Sequence, residues 1–377
     1  MSNILDYIDW RGDLTVQNAP FCEVDNLILS LFSYMDLADI AEGSSLRHSI
    51  SLRDAVKQYF QKYGESGPNM GVLIPKEFPI LYRKAAASRR FGNMRLMRYR
   101  SVLSDRIETQ FSALCIAVGD GSFFVSYRGT DDTLIGWKEN FNMSFMDSVP
   151  AQILARDYLT EAARHIRGRI RIGGHSKGGN LALYAAANAS GRLQRRILNV
   201  YNNDGPGFGK SMAEHAGFAA IADRVITSVP HFSVVGLLLE HGKVDKVVQS
   251  SGEGLWQHDP CTWEVKRDAF VAEKDLSPES LRIERTIKAW VAELSPSERR
   301  EFVEAVYKAF TANRAATLSD IAADKLDFIR SLGKLDGRMR DIILSTGKLL
   351  LREGIRVAQE DREKKSAKRQ KKTDKTV

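Results

Sequence analysis

Apolar positions along the chain change their spacing twice, and these changes divide it into three regions. Up to about residue 92, apolar side chains recur every three or four residues, which is the period of an amphipathic helix. This spacing predicts helices over 25–37, 52–62 and 78–90. Beyond residue 276 a helical spacing returns and continues to about residue 358, so both ends of the chain are predicted to be helical.

The region between them alternates short strand-like segments with helical ones. The predicted strands cover 111–118, 123–127, 169–174, 196–201, 225–229 and 244–249, and the predicted helices cover 151–166 and 180–189. A Gly-Asp-Gly-Ser turn over 119–122 joins the first two strands in a hairpin. Because the later strands are separated by helices, the sequence predicts an α/β fold with a mostly parallel, doubly wound sheet and helices on both faces.

Composition and charge fit this division. The chain has 377 residues, of which 43% are hydrophobic, enough for a large buried core. Most of its net charge of +8 lies in 362–375, which contains eight Lys and Arg and two acidic residues. We therefore expect an α/β domain over 1–275, a helical appendage over 276–360 and a basic, disordered tail over 361–377.

The basic tail has alternative partners. Each basic residue near a lipid surface contributes about 1 kcal/mol of attraction to an anionic membrane, so the tail could hold the protein at such a surface. It could equally be a solvated segment or make nonspecific contacts with nucleic acid. The rest of the chain carries little net charge, and no specific nucleic-acid binding is predicted from it.

The location of the protein is predicted from its cysteines and its apolar runs. Three widely spaced cysteines, an odd number, exclude a disulfide scaffold, and the N-terminus has no secretory signal pattern. The longest apolar run, 234–239, is much shorter than the ~20 residues that cross a bilayer. We expect a cytoplasmic protein with reduced thiols, at most peripheral to a membrane. The wider run over 232–239 is expected either in the core or as a lid over an apolar substrate site.

One motif carries most of the chemical information. Gly174-His175-Ser176-Lys177-Gly178 follows a predicted strand and precedes an alanine-rich predicted helix, which is the context of a nucleophile elbow. In such a turn the serine is strained, and the glycines two residues before and after it let strand and helix approach each other. The alternative is a turn that binds a phosphate, but these glycines do not fit the Gly-x-Gly-x-x-Gly spacing of a dinucleotide fold.

A serine nucleophile needs an acid and a histidine, which follow it in that order in this type of fold. Asp204 comes directly after a predicted strand and is expected at the carboxyl edge of the sheet, although its Asp-Gly-Pro-Gly context is also that of an ordinary turn. His258 lies in a loop after a later strand, as expected for the base. His231 and His241 are the alternatives.

An oxyanion hole needs two hydrogen-bond donors. The backbone N–H of Lys177, at the start of the helix after the serine, is one candidate. The second is expected from the loop after an earlier strand, where Gly129 permits a turn beside Thr130. Thr130 offers a backbone N–H and a hydroxyl, although this segment alone is typical of any polar turn.

Together these motifs resemble a known family. The segment 127–130, with Trp137 after it, and the segment 174–182 resemble fungal-type triacylglycerol lipases, which are α/β-hydrolases. The opening segment 7–13 and the Gln-His-Asp sequence over 257–259 make the chain more similar to a bacterial group of lipase-like α/β-hydrolases of unknown function. The resemblance covers about residues 1–275 and does not include the helical C-terminal part.

The resemblance implies roles for individual residues. It places Ser176 at the nucleophile, Thr130 at the oxyanion residue and His258 at the base. In fungal-type lipases the acid usually lies near an Asp-x-Val-Pro motif after the next strand, but here 226–231 contains no carboxylate. The acid is therefore either Asp204 or missing, and a lysine follows the serine where those lipases have leucine.

The leading prediction is a serine hydrolase that cleaves carboxylic esters of lipids or other apolar acids. Ser176, Asp204 and His258 would form the triad, the N–H groups of Thr130 and Lys177 would bind the oxyanion, and water would release an acyl-enzyme. No metal or organic cofactor is implied. The alternative prediction is a non-catalytic binding or scaffold protein on the same fold, because a fold does not fix a function.

Overall fold

The computed structural model describes most of the chain. The described residues are 2–43, 45–68, 70–71, 74–209, 215–311, 317, 320 and 335–373, and within 363–373 only the course of the backbone is described. The α-helices of these residues are α1 (Ile4–Arg11), α2 (Glu23–Leu31), α3 (Leu52–Tyr63), α4 (Phe78–Ala87), α5 (Leu134–Asn142), α6 (Pro150–His165), α7 (Lys177–Ala187), α8 (Gly191–Gln194), α9 (Ala216–Ala219), α10 (Pro278–Ala292), α11 (Pro296–Thr311) and α12 (Gly337–Thr373). The predicted helices over the first 90 residues and over 151–166 are confirmed, with shifts of a few residues at their ends.

A sheet of nine strands forms the centre of the fold. The strands in chain order are β1 (Ile50–Ser51), β2 (Arg95–Ser104), β3 (Thr109–Ala117), β4 (Phe123–Tyr127), β5 (Ile170–His175), β6 (Ile197–Asn203), β7 (Val225–Pro230), β8 (Lys246–Val248), β9 (Val265–Lys266), β10 (Ala269–Phe270) and β11 (Ala272–Glu273). The sheet order is β1-β2-β3-β4-β5-β6-β7-β8-β11, and β9 pairs with β10 apart from it. Strands β4 to β8 are parallel, and the pairs at both edges are antiparallel. The predicted α/β fold is confirmed, with a mixed sheet in which the five consecutive strands β4 to β8 are parallel.

Helices cover both faces of the sheet. Along β3, Leu114 and Ile116 pack into the core under the N-terminal helices, whereas Ala113 and Cys115 pack into the core under α6 and α7. This alternation is the period of two that a strand buried on both faces requires. Because the strands join the sheet in chain order, the crossover helices α6 and α7 lie on one face. The second face is covered by α1 to α4.

Several elements were not predicted from the sequence, and the two largest of those inside the sheet region are β2 and α5. Strand β2 carries charged residues at positions 95, 98 and 100, and its pairing with β3 shifts register between Met97 and Arg100, so no regular alternation is visible. Helix α5 is short, and two of its buried positions are charged residues, Lys138 and Glu139. Its N-terminus is capped by the Thr133 hydroxyl, which accepts from the N–H of Gly136. Tertiary contacts rather than an apolar stripe fix both elements.

The C-terminal part is helical, but the helix extends further than expected. α10, α11 and α12 agree with the predicted helical content after residue 276, while the domain boundaries stay predictions. The segment 361–373, predicted as disordered, continues α12 to Thr373. Lys, Arg, Glu, Gln and Ala dominate this segment, and all of them favour helix. Residues 374–377 of the predicted tail lie outside the described residues. None of the helices in the described part combines the length and apolarity that a membrane span requires.

Candidate active site

The candidate nucleophile and acid follow neighbouring parallel strands at the same level. Strands β5 and β6 pair in a register that sets His175 opposite Asn203, the last residue of each strand. Ser176 and Asp204 come next, and the N–H of Ser176 donates to the Asn203 carbonyl at 2.9 Å. Because parallel strands end at one edge of the sheet, both side chains begin at the edge where α/β proteins bind their ligands.

Ser176 has the backbone strain expected of a nucleophile elbow. Its φ and ψ are 57° and −134°, in the region that disfavours a side chain, and α7 begins at the next residue. A Cβ on Gly174 would lie 2.2 Å from the carbonyl carbon of Gly178, and a Cβ on Gly178 would lie 2.1 Å from the carbonyl oxygen of Tyr127. Both glycines are therefore required for strand, turn and helix to meet. Ser176 itself is half-buried.

Asp204 is bonded to His258. The carboxylate is fully buried, and its Oδ2 lies 2.6 Å from Nδ1 of His258. Its Oδ1 accepts from the Ser233 hydroxyl at 2.5 Å and from the Gly236 N–H at 3.1 Å. A neutral imidazole that donates from Nδ1 keeps Nε2 as its proton acceptor. The His258 side chain is 30% exposed, so the imidazole that carries Nε2 is not fully buried in the core.

His175 fixes the loop that carries His258. The two imidazole rings lie 4.6 Å apart between centroids at an angle of 34°, and His175 Nε2 donates to the His258 carbonyl at 2.9 Å. Burial lowers the pKa of His175 well below its ordinary value, so this side chain stays neutral. The preceding residue, Gln257, is also held on both sides, because its side-chain oxygen accepts from the Phe232 N–H and its carbonyl accepts from the Trp263 indole N–H. His175, the residue before Ser176, thus holds the loop that carries His258 against the turn at Ser176.

The two other candidate bases have different partners. His231 Nδ1 donates to the Asp275 carbonyl at 2.9 Å. His241 Nε2 lies 3.1 Å from a carboxylate oxygen of Glu284 in α10. Of the three downstream candidates, His258 is the one whose ring is bonded to Asp204 in the described residues.

The predicted oxyanion loop lies directly against the serine. A Cβ on Gly129 would be 3.1 Å from the Ser176 Cβ and 2.1 Å from the Tyr34 hydroxyl, so only glycine fits there. The next residue, Thr130, accepts a hydrogen bond at its hydroxyl from the Asn140 amide at 2.8 Å. This bond anchors the loop to α5 and leaves the backbone N–H of Thr130 as the candidate donor to an oxyanion.

The side chain of Lys177 was not anticipated as part of a buried ion pair. Its Nζ lies 2.9 Å from Glu139 Oε2 and 2.6 Å from the Gln110 carbonyl, and both charged side chains are inaccessible to solvent. Glu139 Oε1 in turn accepts from the Thr109 hydroxyl and from the Ala151 N–H. The network joins the start of α7 to α5, α6 and β3. Nothing in the spacing of Lys177 and Glu139 along the sequence indicated this pair.

The apolar run over 232–239 supports the acid. It supplies Ser233 and Gly236 to the Asp204 carboxylate, and Ser233, Gly236 and Leu237 are buried. The other five residues of the run are half-buried, so it lies between the core and the surface. Elsewhere, no group of His, Cys, Asp and Glu in the described residues is arranged to hold a metal ion.

The C-terminal helices contact two segments beside the site. In α10, the Ser280 hydroxyl donates to the carbonyl of Ser233, the residue that donates to Asp204. In α11, Glu304 accepts from Lys138 of α5 at 2.7 Å. Both contacted segments follow carboxyl ends of parallel strands, so the C-terminal helices pack at the same edge of the sheet as the candidate site.

These features define the class of protein. A mixed sheet with five consecutive parallel strands, a strained serine between strand and helix, an aspartate after the next strand and a histidine from a later loop together define the α/β-hydrolase fold. The chain belongs to the Mbeg1-like family, whose model matches residues 85–308, more than half of the chain. The match includes Ser176, Asp204 and His258. The predicted bacterial character of the family stays a prediction.

Three solved structures show weak similarity to the chain. The crystal structure of M37 lipase is 15% identical with a TM-score of 0.34, over 49% of this chain and 69% of the other. The lipase from Rhizopus microsporus var. chinensis is 13% identical with a TM-score of 0.29, over 62% and 85%. The native Rhizomucor miehei lipase propeptide complex is 12% identical with a TM-score of 0.30, over 53% and 68%. Sequence identities and TM-scores this low do not indicate an activity for this chain. No curated protein sequence matches the chain.

Proposed function

We propose that this protein is a serine hydrolase of carboxylic esters that uses Ser176, Asp204 and His258. The observation that carries the proposal is the 2.6 Å contact between Asp204 Oδ2 and His258 Nδ1. It is made at the sheet edge where Ser176 occupies a strained turn. A buried carboxylate bonded to Nδ1 orients the imidazole and stabilises its protonated form, which is what a serine nucleophile needs from its base.

In the first half of the reaction, the Ser176 oxygen attacks the ester carbonyl carbon while His258 Nε2 accepts the hydroxyl proton. The carbonyl oxygen becomes an oxyanion, and the backbone N–H groups of Thr130 and Lys177 donate hydrogen bonds to it. The tetrahedral intermediate collapses, the bond to the alcohol oxygen breaks, and the imidazolium gives its proton to the departing alkoxide. The products of this half are a free alcohol and an acyl-enzyme on Ser176.

In the second half, water takes the place of the alcohol. His258 accepts a proton from the water as its oxygen attacks the acyl carbon, and the same two N–H groups hold the new oxyanion. Collapse breaks the bond to the Ser176 oxygen, which recovers its proton from the imidazolium. The acid is released and the enzyme returns to its starting state without a change in redox state.

Exposed apolar side chains beside the base support an apolar substrate. Leu255 and Trp256 are 66% and 69% exposed, and they precede His258 by three and two residues in the same short helix. Large apolar side chains left in water beside a reactive group favour contact with an apolar acyl or alcohol moiety. We place the reaction in the cytoplasm, where Cys22, Cys115 and Cys261, which are free thiols in the structure, stay reduced.

Hydrolysis of p-nitrophenyl esters of increasing acyl length tests this proposal. We expect measurable turnover, higher kcat/KM for longer acyl chains, and a loss of about 10³-fold or more in Ser176→Ala. A Leu255→Ser, Trp256→Ser variant should lose the chain-length preference and keep turnover of the acetate. Turnover unchanged in folded Ser176→Ala would overturn the proposal.

One observation favours the second candidate function, a non-catalytic binding protein on a hydrolase fold. In the described part of the chain, the Ser176 hydroxyl makes no hydrogen bond to His258. Catalytic hydrogen bonds often tighten only when substrate binds, so the serine and imidazole of an enzyme would approach each other on substrate binding. Folded wild-type protein that hydrolyses none of the esters would favour the binding protein.

A further inference from the structure

Helix α12 packs on the C-terminal helices with one face only. Thr346, Glu353 and Val357 are almost completely buried, and they recur at intervals of seven and four residues. The Trp290 indole of α10 donates to the Thr346 carbonyl at 3.1 Å, and Arg285 of α10 pairs with Asp361. This inner face accounts for how α12 is held against α10 and α11.

The opposite face of α12 presents apolar side chains to solvent. Leu344, Leu351 and Ile355 are 55%, 69% and 61% exposed, and their intervals of seven and four residues place them in one stripe. The stripe is displaced by two residues from the buried one, which is about half a turn of helix. A helix that only closed a soluble domain would carry polar residues at these positions.

Basic residues flank and extend this stripe. Lys348, Arg352 and Arg356 lie next to the apolar positions and are exposed. Arg352 and Arg356 also pair with acidic neighbours in or near α12, whereas Lys348 forms no ion pair in the described residues. The sequence then adds the run over 362–375, with a net charge of +6, as the chain continues away from the stripe.

We infer that the outer face of α12 binds the surface of an anionic phospholipid bilayer. A helix with an apolar stripe bordered by basic residues lies in the membrane interface with its apolar side chains among the acyl chains. The basic run is complementary to anionic headgroups, which attract each nearby Lys or Arg by about 1 kcal/mol. A second copy of the chain is a poorer occupant, because two runs of the same charge would be brought together. The inference does not depend on the hydrolase proposal.

Vesicle flotation of the full chain carrying Ser176→Ala tests the inference, since binding is then measured without turnover. We expect the protein to float with vesicles containing 30% phosphatidylserine and not with pure phosphatidylcholine, and to be released as the salt concentration rises. The triple variant Leu344→Ser, Leu351→Ser, Ile355→Ser should bind at least 10-fold more weakly. Glutamine at Lys364, Lys365, Lys368 and Arg369 should weaken binding by a similar factor.

A matched control separates this face from exposed apolar surface in general. Leu103 and Ile107 are 60% and 42% exposed in and after β2, and their double serine variant should bind like the parent. Thermal unfolding verifies that each variant is folded. Unchanged binding in the triple variant, equal binding to neutral vesicles, or binding to RNA without binding to vesicles would overturn the inference. A concentration-dependent dimer that the triple variant abolishes would overturn it in favour of self-association.

Discussion

Asp204 and His258 are 54 residues apart in the sequence, and their side chains meet at 2.6 Å. The contact uses one carboxylate oxygen of Asp204, while the other is held by Ser233 and Gly236. Both oxygens therefore have partners, and the carboxylate is oriented independently of the histidine. A carboxylate fixed in this way can orient the imidazole of His258 so that its Nε2 is able to accept a proton.

Replacing Asp204 by asparagine tests this relationship. The amide has the same shape, but it removes the negative charge that stabilises the imidazolium, and it can hold the wrong tautomer of His258. We expect kcat for ester hydrolysis to fall by about 10³- to 10⁴-fold with a small change in KM. Steady-state kinetics measure this, with circular dichroism as the control for folding. A loss of less than 10-fold would mean that Asp204 is not the acid of a triad.

The contact between Ser233 and Asp204 predicts a graded effect. Ser233→Ala removes one donor to the carboxylate, and we expect kcat to fall by about 10- to 100-fold, since a hydrogen bond to a charged group is worth about 1.5 to 3 kcal/mol. Ser280→Ala in α10 acts one bond further away and should have a smaller effect. Kinetics of the two variants at one temperature provide the comparison. The reverse order would show that the C-terminal helix controls the site by another route.

The buried pair of Lys177 and Glu139 predicts a non-additive loss of stability. Lys177→Met leaves Glu139 charged and without its ion pair, and we expect a loss of about 3 to 5 kcal/mol in the free energy of unfolding. The double variant Lys177→Met, Glu139→Gln removes both charges and should recover part of this loss. Urea unfolding of the four proteins in this cycle measures the coupling. Additive effects would contradict a direct pairing.

Asp259 predicts a pH dependence of stability. Burial raises the pKa of this carboxyl to about 6, so the folded state binds its proton more tightly than the unfolded state does. The resulting stabilisation is complete below pH 4 and is lost as the pH rises through about 6. Asp259→Asn cannot ionise, and its side-chain oxygen can still accept from the Cys261 N–H. We expect this variant to be more stable than the wild type at pH 8, by about 2 to 3 kcal/mol.

Urea unfolding of both proteins between pH 3 and pH 8 gives the measurement for Asp259. The pH-dependent part of the difference should vanish near pH 3, because Asp259 is then neutral in the folded and the unfolded state. A difference that does not change with pH would show that the carboxyl at position 259 titrates alike in the folded and unfolded states.

The parts of the fold that depend on local sequence could be predicted. A short strand with Ile170 and Ile172 precedes Ser176 and an alanine-rich helix follows it, and the flanking glycines are needed for close approach, so the elbow was predictable. Asp204 and His258 were predictable as positions at an edge of the sheet, because chain order in this fold limits where an acid and a base can lie.

Interactions between distant segments could not be predicted. Glu139 is a charged residue in a short helix, and its burial depends on Lys177 arriving from another part of the chain. The ring stacking of His175 on His258 likewise depends on where a loop folds back. The helix at the C-terminal end of α12 was missed for a different reason. A run of like charges suggests disorder, but the residues of this run are individually good helix formers.

Labelling with a fluorophosphonate tests whether Ser176 is an activated nucleophile, because the reagent reacts with a serine only when a base activates its hydroxyl. Peptide mapping by mass spectrometry should place a single adduct on Ser176 in the wild type, and labelling should be absent in Ser176→Ala and His258→Ala. His241→Ala should label like the wild type. Folded wild-type protein that gains no adduct at Ser176, or labelling that persists in His258→Ala and disappears in His241→Ala, would exclude a triad of Ser176, Asp204 and His258.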